Sequence, residues 1–292
     1  MSLSLVLPKG SLERSTMELF AAADLGVVRA SDVDYRAAID DPRIGEVRIL
    51  RPQEIPTYVS EGLFDLGITG RDWIEETRSE VVSLGELNYS KATAKPIKLV
   101  LAVAGDAEFR SVEDLPDGSR VSTEYPRLTE RYLADHGVKA NVLLSYGATE
   151  AKIPEIADAV VEITETGRAL RAAGLRIIDT VLESRTELIA NPLAAADPVK
   201  RHAMGQILTL LTGALEARGK VLVKLNVSSD DLDAVLSVLP SMKSPTVSAL
   251  HRSQGYAVET VVPKDRINEL IPELSDRGAT DILEIPLSKI VH

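Results

Sequence analysis

Short apolar runs take turns with helical patterns along the N-terminal part of the chain. "LSLVL" (3 to 7) precedes "LERSTMELFAAADLG", "EVRIL" (46 to 50) precedes "PQEIPTYVSEG", and "DLGIT" (65 to 69) precedes "RDWIEETRSE". Strand and helix alternating at this spacing predict a parallel or mixed sheet covered by helices, an α/β fold. The polar tract "LNYSKATAKP" (87 to 96) interrupts the pattern. A second series then begins with "IKLVLAVAG" and runs through "SRVST", "RLTERYLADHG", "ANVLLS", "ADAVVEI" and "TGRALRAAG", so a second lobe is expected from about residue 95.

The stretch "DPVKRHAMGQILTLLTGALEARG" (197 to 219) has Ala203, Ile207, Leu210, Leu211 and Leu215 at helical spacing and reads as one long helix. Beyond it come strand, helix, strand, strand, helix, strand: "KVLVKLNV", "SSDDLDAVLSVL", "TVSAL", "YAVETVV", "KDRINELIPELSDRG" and "DILEIPL". That order predicts a ferredoxin-like α+β domain.

Composition removes several functions. A 45% hydrophobic content supports buried cores, but aromatics make up only 4%, with three Phe and one Trp, leaving little for base-stacking platforms. Lys and Arg total 33 against 44 acids, a formal charge of -11 that disfavours nucleic acid and anionic membranes as partners. Any phosphate ligand therefore needs a local site. There is no cysteine, so disulfides, thiolate metal sites and cysteine nucleophiles are out. "MSLSLVLPKG" lacks the basic start of a signal peptide and no apolar run is long enough to span a bilayer, so a cytoplasmic location is expected. His136, His202, His251 and His292 form no cluster and none is assigned to catalysis.

The octapeptide "ITETGRAL" (163 to 170) follows an apolar run and opens a helical pattern. As a strand-to-helix turn it would offer the peptide N–H groups of Thr164 to Ala169 to an anion, with hydroxyls from Thr164 and Thr166, close backbone approach at Gly167 and charge from Arg168. The same residues also read as an ordinary helix cap. Upstream, Glu150, Asp158 and Glu162 precede the turn, and strand alternation puts Asp158 and Glu162 on one side. Acids beside a phosphate turn fit a ligand that also carries sugar hydroxyls or a divalent cation.

With "LPKGSL" (7 to 12), "LRPQEIPTYV" (50 to 59), "DLGITGRD" (65 to 72), "STEYPRLTERYL" (122 to 133), the acidic strand with "TETGRAL", and "LPSMKSPTVSAL" (239 to 250), the chain resembles the ATP phosphoribosyltransferases over its whole length. The last fragment is similar to the long form, which carries its own regulatory domain. The resemblance implies a two-lobed core like a type II periplasmic binding protein plus a C-terminal ferredoxin-like (ACT-like) domain. Expected boundaries are 1–95 with 180–215 for lobe I, 96–179 for lobe II and 216–292 for the regulatory domain. It implies transfer of phosphoribosyl from phosphoribosyl pyrophosphate to N1 of ATP, the first step of histidine biosynthesis.

Carried over residue by residue, Thr164, Glu165, Thr166, Gly167, Arg168 and Ala169 are expected to hold the 5-phosphate, with Ala169 standing where the family has threonine. Asp158 and Glu162 are expected among the catalytic groups, facing the ribose or its Mg2+, with Glu150 a further contact to phosphoribosyl pyrophosphate; Lys152, an insertion relative to the family, is expected to touch the pyrophosphate. Lys9, Gly10, Arg51, Asp65, Gly70, Asp72 and Tyr125 are expected around ATP, with Lys9 and Arg51 among the catalytic groups. Mg2+ is expected on the substrate, with Asp158 as the side chain nearest to direct ligation. L-histidine is expected to inhibit through Met242, Ser244 and Thr246, while Asn226 and Asp281 stand where other ligands are expected. A homo-oligomer, a hexamer, is implied, with helix 197 to 219 as a candidate contact. The competing reading is a non-catalytic two-lobed solute-binding or amino-acid-sensing protein.

Overall fold

The computed structural model describes residues 2–31, 33–89, 96–240, 244–251 and 254–292. The first lobe contains β1 (Leu3–Pro8), α1 (Glu13–Ala22), β2 (Val27–Val28), β3 (Arg36–Ile39), β4 (Ile44–Leu50), α2 (Ile55–Ser60), β5 (Leu66–Gly70), α3 (Arg71–Thr77) and β6 (Val82–Glu86). The second contains β7 (Ile97–Ala104), β8 (Arg120–Thr123), α4 (Pro126–Asp135), β9 (Asn141–Leu144), β10 (Ala159–Thr164), α5 (Arg168–Ala172) and β11 (Leu175–Ser184). The chain returns through β12 (Thr186–Ala190), α6 (Pro192–Ala196) and α7 (Pro198–Ala217). The C-terminal elements are β13 (Lys220–Ser228), α8 (Leu232–Leu236), β14 (Thr246–Ala249), β15 (Gly255–Pro263), α9 (Ile267–Asp276) and β16 (Thr280–Pro286).

The lobe I sheet has the order β2-β3-β4-β1-β5-β12-β6. β1 lies parallel to both β4 and β5, and Leu5, Val6 and Leu7 are fully buried, which is why "LSLVL" is continuously apolar and not alternating. The lobe II sheet has the order β11-β7-β10-β8-β9, with β10 parallel to β8 and β8 parallel to β9. Its main core gathers Leu99, Leu101, Val121, Leu128, Leu133 and Val161. β11 pairs with β7 as far as Ser184 opposite Ile97, so the return to lobe I comes at Arg185 and not near residue 180.

The polypeptide divides into two compact units, Met1–Leu208 and Thr209–His292, the division falling within α7. The buried stripe of α7 is Met204, Ile207, Leu211 and Ala214. In the C-terminal unit the antiparallel order β14-β15-β13-β16, with α8 and α9 in the connections, is the ferredoxin-like arrangement expected from the strand and helix order. Its core is built from alternate residues of β13, Val221, Val223, Leu225 and Val227, against Leu270 and Leu274 of α9.

Helices α3 and α4 tie the two lobes together. The Tyr125 hydroxyl, on the lobe II side, donates to Asp72 Oδ2 at 2.7 Å, and its ring lies 4.3 Å from that of Trp73. Ser184 Oγ donates to Asp72 Oδ1 at 2.6 Å. Glu76 accepts from the backbone N–H groups of Arg127 and Leu128 at 3.2 and 2.9 Å, so a lobe I carboxylate caps the first turn of α4. Burial pushes the Asp72 and Glu76 carboxyl groups above the usual range, and the donors around each offset part of that effect.

Two acids lie at the other ends of their strands. Asp158, just before β10, accepts from the Arg120 backbone N–H at 2.8 Å and from its guanidinium at 2.8 and 3.2 Å. Asp65, just before β5, accepts from Ser4 N at 3.0 Å and from Lys200 Nζ at 2.6 Å.

Tyr125→Phe leaves a buried carboxylate short of one donor. It is expected to cost about 1–3 kcal/mol of unfolding free energy, read as a lower Tm by calorimetry with secondary structure retained. Asp158→Asn is expected to cost about 1 kcal/mol at neutral pH, since both partners are partly exposed. The Arg120 guanidinium holds the Asp158 carboxyl below its ordinary value, so its contribution is complete above the unfolded carboxylate range and fades as pH falls through the folded value. The Tm gap between wild type and Asp158→Asn should therefore close as pH drops below about 4.

Candidate active site

In an open α/β sheet the carboxyl ends of parallel strands carry the ligand, because the loops that follow them converge there. In lobe I those ends deliver Lys9 and Gly10 after β1, Arg51 after β4, and Asp72 after β5. Pro8 pairs with Leu50, so Lys9 and Arg51 emerge side by side. In lobe II, β8 delivers Glu124, β9 delivers Ser145 and Tyr146, and β10 delivers Thr164 and the turn behind it. All of these belong to one compact unit.

Two adjoining cavities lie among them. The first, about 520 Å³, is lined by Ser11, Leu12, Gly70, Asp72 and Trp73 from lobe I, and by Thr164, Glu165, Thr166, Arg168 and Ala169 from lobe II. The crossing residues Leu87 to Tyr89, Pro96, Ile97 and Ser184 to Thr186 complete its walls. The second, about 490 Å³, is lined by Lys9, Gly10, Arg51, Gln53, Glu124, Leu144, Ser145 and Tyr146. Ser11, Pro52 and Trp73 border both. The first has a largely apolar wall with a phosphate-type turn at its rim; the second presents two cations.

The turn is shaped by its own hydroxyls. Gly167 N donates to Thr164 Oγ1 at 2.7 Å, Arg168 N to Thr166 Oγ1 at 3.4 Å, and the Arg171 guanidinium to the Thr166 carbonyl at 2.7 Å. Gly167 has φ +71°, and a β-carbon there would lie 2.7 Å from Arg171 Nη1 and 3.1 Å from Ile177 Cδ1, so this position requires glycine. Gly167 does not itself line the cavity; it lets Thr166, Arg168 and Ala169 reach it. Gly70 answers to the same kind of constraint, since a side chain there would collide with the Asp72 carboxylate.

Lys9 is held in place twice, by its N–H on the Leu50 carbonyl at 2.6 Å and by its ammonium 4.1 Å from the centre of the Tyr35 ring. Glu162, on β10, accepts from Ile163 N at 3.0 Å. Burial, with Glu124 and Glu150 nearby, pushes its carboxyl upward. Glu150 and Lys152 sit on the short helical turn Thr149–Lys152. Lys152 Nζ donates to Ser145 Oγ at 2.5 Å, placing its charge behind the wall of the second cavity.

Of the expected site residues, Glu150, Lys152 and Glu162 line neither cavity, and Asp158, Asp65 and Tyr125 are placed elsewhere. Asp158 shares a strand face with Glu162 but lies at the opposite end of β10, about 20 Å from Thr164 at 3.3 Å per residue, with its carboxylate taken by Arg120. Asp65 is placed away for the same reason, at the amino end of β5. Tyr125 is almost wholly buried, its hydroxyl committed to Asp72 and its ring to Trp73, so it supports the site from beneath. Ser244 and Thr246 are exposed in the C-terminal unit, and Met242 lies outside the described residues.

Residues that the sequence reading passed over also line the cavities: Ser11, Trp73, Glu124, Ser145, Tyr146 and the crossing at Ser184 to Thr186. Glu124 and Ser145 were findable, because each directly follows a parallel strand.

Residues 51–213 match the family model described as ATP phosphoribosyltransferase, and residues 217–289 match the model for the C-terminal domain of the same family. An ATP phosphoribosyltransferase of Desulforudis audaxviator is 48% identical over 291 residues, covering 100% of both chains. One of Pelotomaculum thermopropionicum is 46% identical over 291 residues with the same coverage. Among solved structures, the ATP phosphoribosyl transferase (HisG:HisZ) complex from Thermotoga maritima superposes with a TM-score of 0.60 at 28% identity, covering 72% of this chain and 96% of that one. No helix among the described residues is long and apolar enough to cross a membrane. The chain belongs to the ATP phosphoribosyltransferase family, in the form that carries its own C-terminal domain.

Proposed function

We propose that the two cavities divide the substrates of the family reaction between them, with phosphoribosyl pyrophosphate anchored at the Thr164–Ala169 turn and the polyphosphate charge handled by Lys9 and Arg51. The observation that carries this is their adjacency: a phosphate-type turn and a pair of cations open onto cavities that share Ser11, Pro52 and Trp73. The chain is an ATP phosphoribosyltransferase, transferring phosphoribosyl from phosphoribosyl pyrophosphate to N1 of ATP with release of pyrophosphate, the first step of histidine biosynthesis.

In this reaction the bond from adenine N1 to ribose C1 forms as the bond from C1 to the pyrophosphate oxygen breaks, so no covalent nucleophile on the protein is required. The protein must align the reactants, tolerate positive charge on the sugar and neutralise the departing diphosphate. Thr164, Thr166 and Arg168, with backbone from Glu165 to Ala169, hold the 5-phosphate; Ala169 removes one hydroxyl and leaves more of that work to Thr166. Glu162 is the acid placed to favour an electron-poor ribose, because it lies near the carboxyl end of β10. Lys9, Arg51 and Lys152 supply the positive side. The apolar walls of Trp73, Leu12 and Leu87 offer the reacting groups a surface that does not hydrogen-bond water, which strengthens each of these interactions once substrate fills the cavity.

Mg2+ enters as part of the substrate. Among the described residues no group of three His, Cys, Asp or Glu is arranged to cage a metal. An ion carried in on the diphosphate would keep most of its waters and neutralise leaving-group charge.

Thr166→Ala removes a hydroxyl that both contacts the phosphate and shapes the turn. It is expected to lower kcat/KM for phosphoribosyl pyrophosphate by roughly 10- to 100-fold, the worth of a hydrogen bond to a charged group, with KM for ATP changed by less than about twofold. Formation of phosphoribosyl-ATP and pyrophosphate in steady state checks it, and near-normal kinetics would remove the assignment.

The C-terminal domain is read as a histidine sensor. Ser244 and Thr246 stand exposed at the start of edge strand β14, and the Asn226 amide donates to the Asp281 carboxylate at 2.9 Å. The assembly is read as a hexamer. L-histidine titrated into the full-length protein should release measurable heat and inhibit turnover, and Thr246→Ala should weaken both together. Heat without inhibition, or neither, contradicts the regulatory reading.

A further inference from the structure

We propose that the ring of Tyr146 is the stacking platform for the adenine of ATP, holding the base by its face in the second cavity so that N1 stays free to attack the ribose. The inference rests on the assignment of polyphosphate charge to Lys9 and Arg51 and names the part of the nucleotide that the rest of that cavity receives.

The second cavity has two kinds of wall. Lys9 and Arg51 arrive from lobe I, while Leu144, Ser145 and Tyr146 arrive from the end of β9 in lobe II. Its volume of about 490 Å³ suits a nucleotide-sized group, and cations beside apolar and aromatic surface match the phosphate and base ends of such a ligand. Tyr146 is 93% exposed, the highest figure among the exposed large apolar side chains, and Leu144 on the same wall is also exposed. The other aromatic groups near the site are already committed. Tyr125 donates to Asp72, Trp73 packs on the Tyr125 ring, and the Tyr35 ring faces the Lys9 ammonium.

The chain is pinned on both sides of the exposed ring. Ser145 N donates to the Thr123 carbonyl at 2.7 Å, and the Ser145 hydroxyl meets Thr149 Oγ1 at 2.9 Å and accepts from Lys152 Nζ at 2.5 Å. Ser145 and Thr149 are themselves buried. Between these anchors the backbone turns through left-handed conformations at Gly147, φ +117°, and Ala148, φ +48°. A ring presented from a backbone fixed in this way loses little freedom when a ligand settles on it.

The reaction decides which contact the base can accept. Attack uses the N1 lone pair, which lies in the plane of the adenine ring, so a hydrogen-bond partner at that position competes with the ribose. A partner on the face of the ring does not. As N1 bonds to C1, the electron pair of the broken C1–O bond leaves with pyrophosphate and the adenine takes on positive charge. The π-face of a tyrosine attracts that charge, so the contact strengthens toward the transition state.

The test compares wild type with Tyr146→Ala, Tyr146→Leu and Tyr146→Phe. Binding of ATP and of inorganic triphosphate is followed by calorimetry and by the fluorescence of Trp73, the single tryptophan of the chain and a border of both cavities. Tyr146→Ala is expected to weaken ATP binding by roughly 5- to 100-fold, the worth of one base on an aromatic side chain, with triphosphate changed by less than about twofold. The loss in kcat/KM for ATP should be at least as large as the loss in affinity. Tyr146→Leu, which keeps apolar bulk without a π-face, should recover only part of the affinity and Tyr146→Phe most of it; this pair keeps the test decisive if the alanine variant folds poorly. Unchanged ATP affinity in the folded variants, an equal loss for ATP and triphosphate, or a change in oligomer size by light scattering with ATP affinity intact overturns the platform. If Arg51→Ala loses triphosphate binding while Tyr146→Ala binds ATP normally, only the platform falls; normal triphosphate binding in Arg51→Ala takes down the underlying assignment as well.

Discussion

Everything around the cavities depends on one buried carboxylate. Asp72 stands at the first turn of α3, accepts from Tyr125 on the lobe II side and from Ser184 at the end of β11, and lines the first cavity itself. A charge with 2% exposure is costly unless each lone pair finds a donor, so the two lobes are drawn to the positions that supply them. Trp73, the next residue, then packs on the Tyr125 ring and borders both cavities. Glu76, one turn on, caps α4. Three residues of a single short helix thus set the junction against which the carboxyl ends of the strands converge.

That convergence decides which polar residues come together around the cavities. Glu162 and Asp158 have the same residue class, the same strand and the same face, yet the first is close to the phosphate turn and the second is a strut on Arg120. What separates them is position along β10. The same distinction removes Asp65 and admits Lys9, Arg51 and Asp72. Electrostatics follows this geometry. Where the carboxylate is a strut, a guanidinium holds its pKa down; at Glu162 burial pushes it up, with Glu124 and Glu150 acting in the same direction.

Much of this was legible in the sequence, for physical reasons that differ by element. β1, β5 and β7 announce themselves because central strands buried on both faces are nearly continuously apolar, β4 and β10 do so through shorter apolar runs, and the C-terminal order of elements could fold in few other ways. The turn at Thr164–Ala169 was legible as an anion site only in company with the acids before it. β11 was missed because register shifts between Ile177 and Asp179 and between Thr180 and Leu182 break its alternation, and with it went β12 and the crossing at Arg185. Tyr125 misled because a tyrosine beside a substrate motif does not reveal whether its hydroxyl faces the ligand or the neighbouring lobe. The hydrogen bonds of Lys152 and Thr149 to Ser145 were beyond reach, since they join the end of β9 to a short helical turn through contacts that no sequence spacing records.

The account is tested most directly by a crystal structure of the protein with phosphoribosyl pyrophosphate and Mg2+ bound. The central claim requires the 5-phosphate to lie within hydrogen-bond distance of Thr166 Oγ1 and the backbone N–H groups around Gly167, with the diphosphate directed toward Lys9 and Arg51. Density for the 5-phosphate at Arg120 and Asp158, or at the amino ends of β5 and β10, would contradict it.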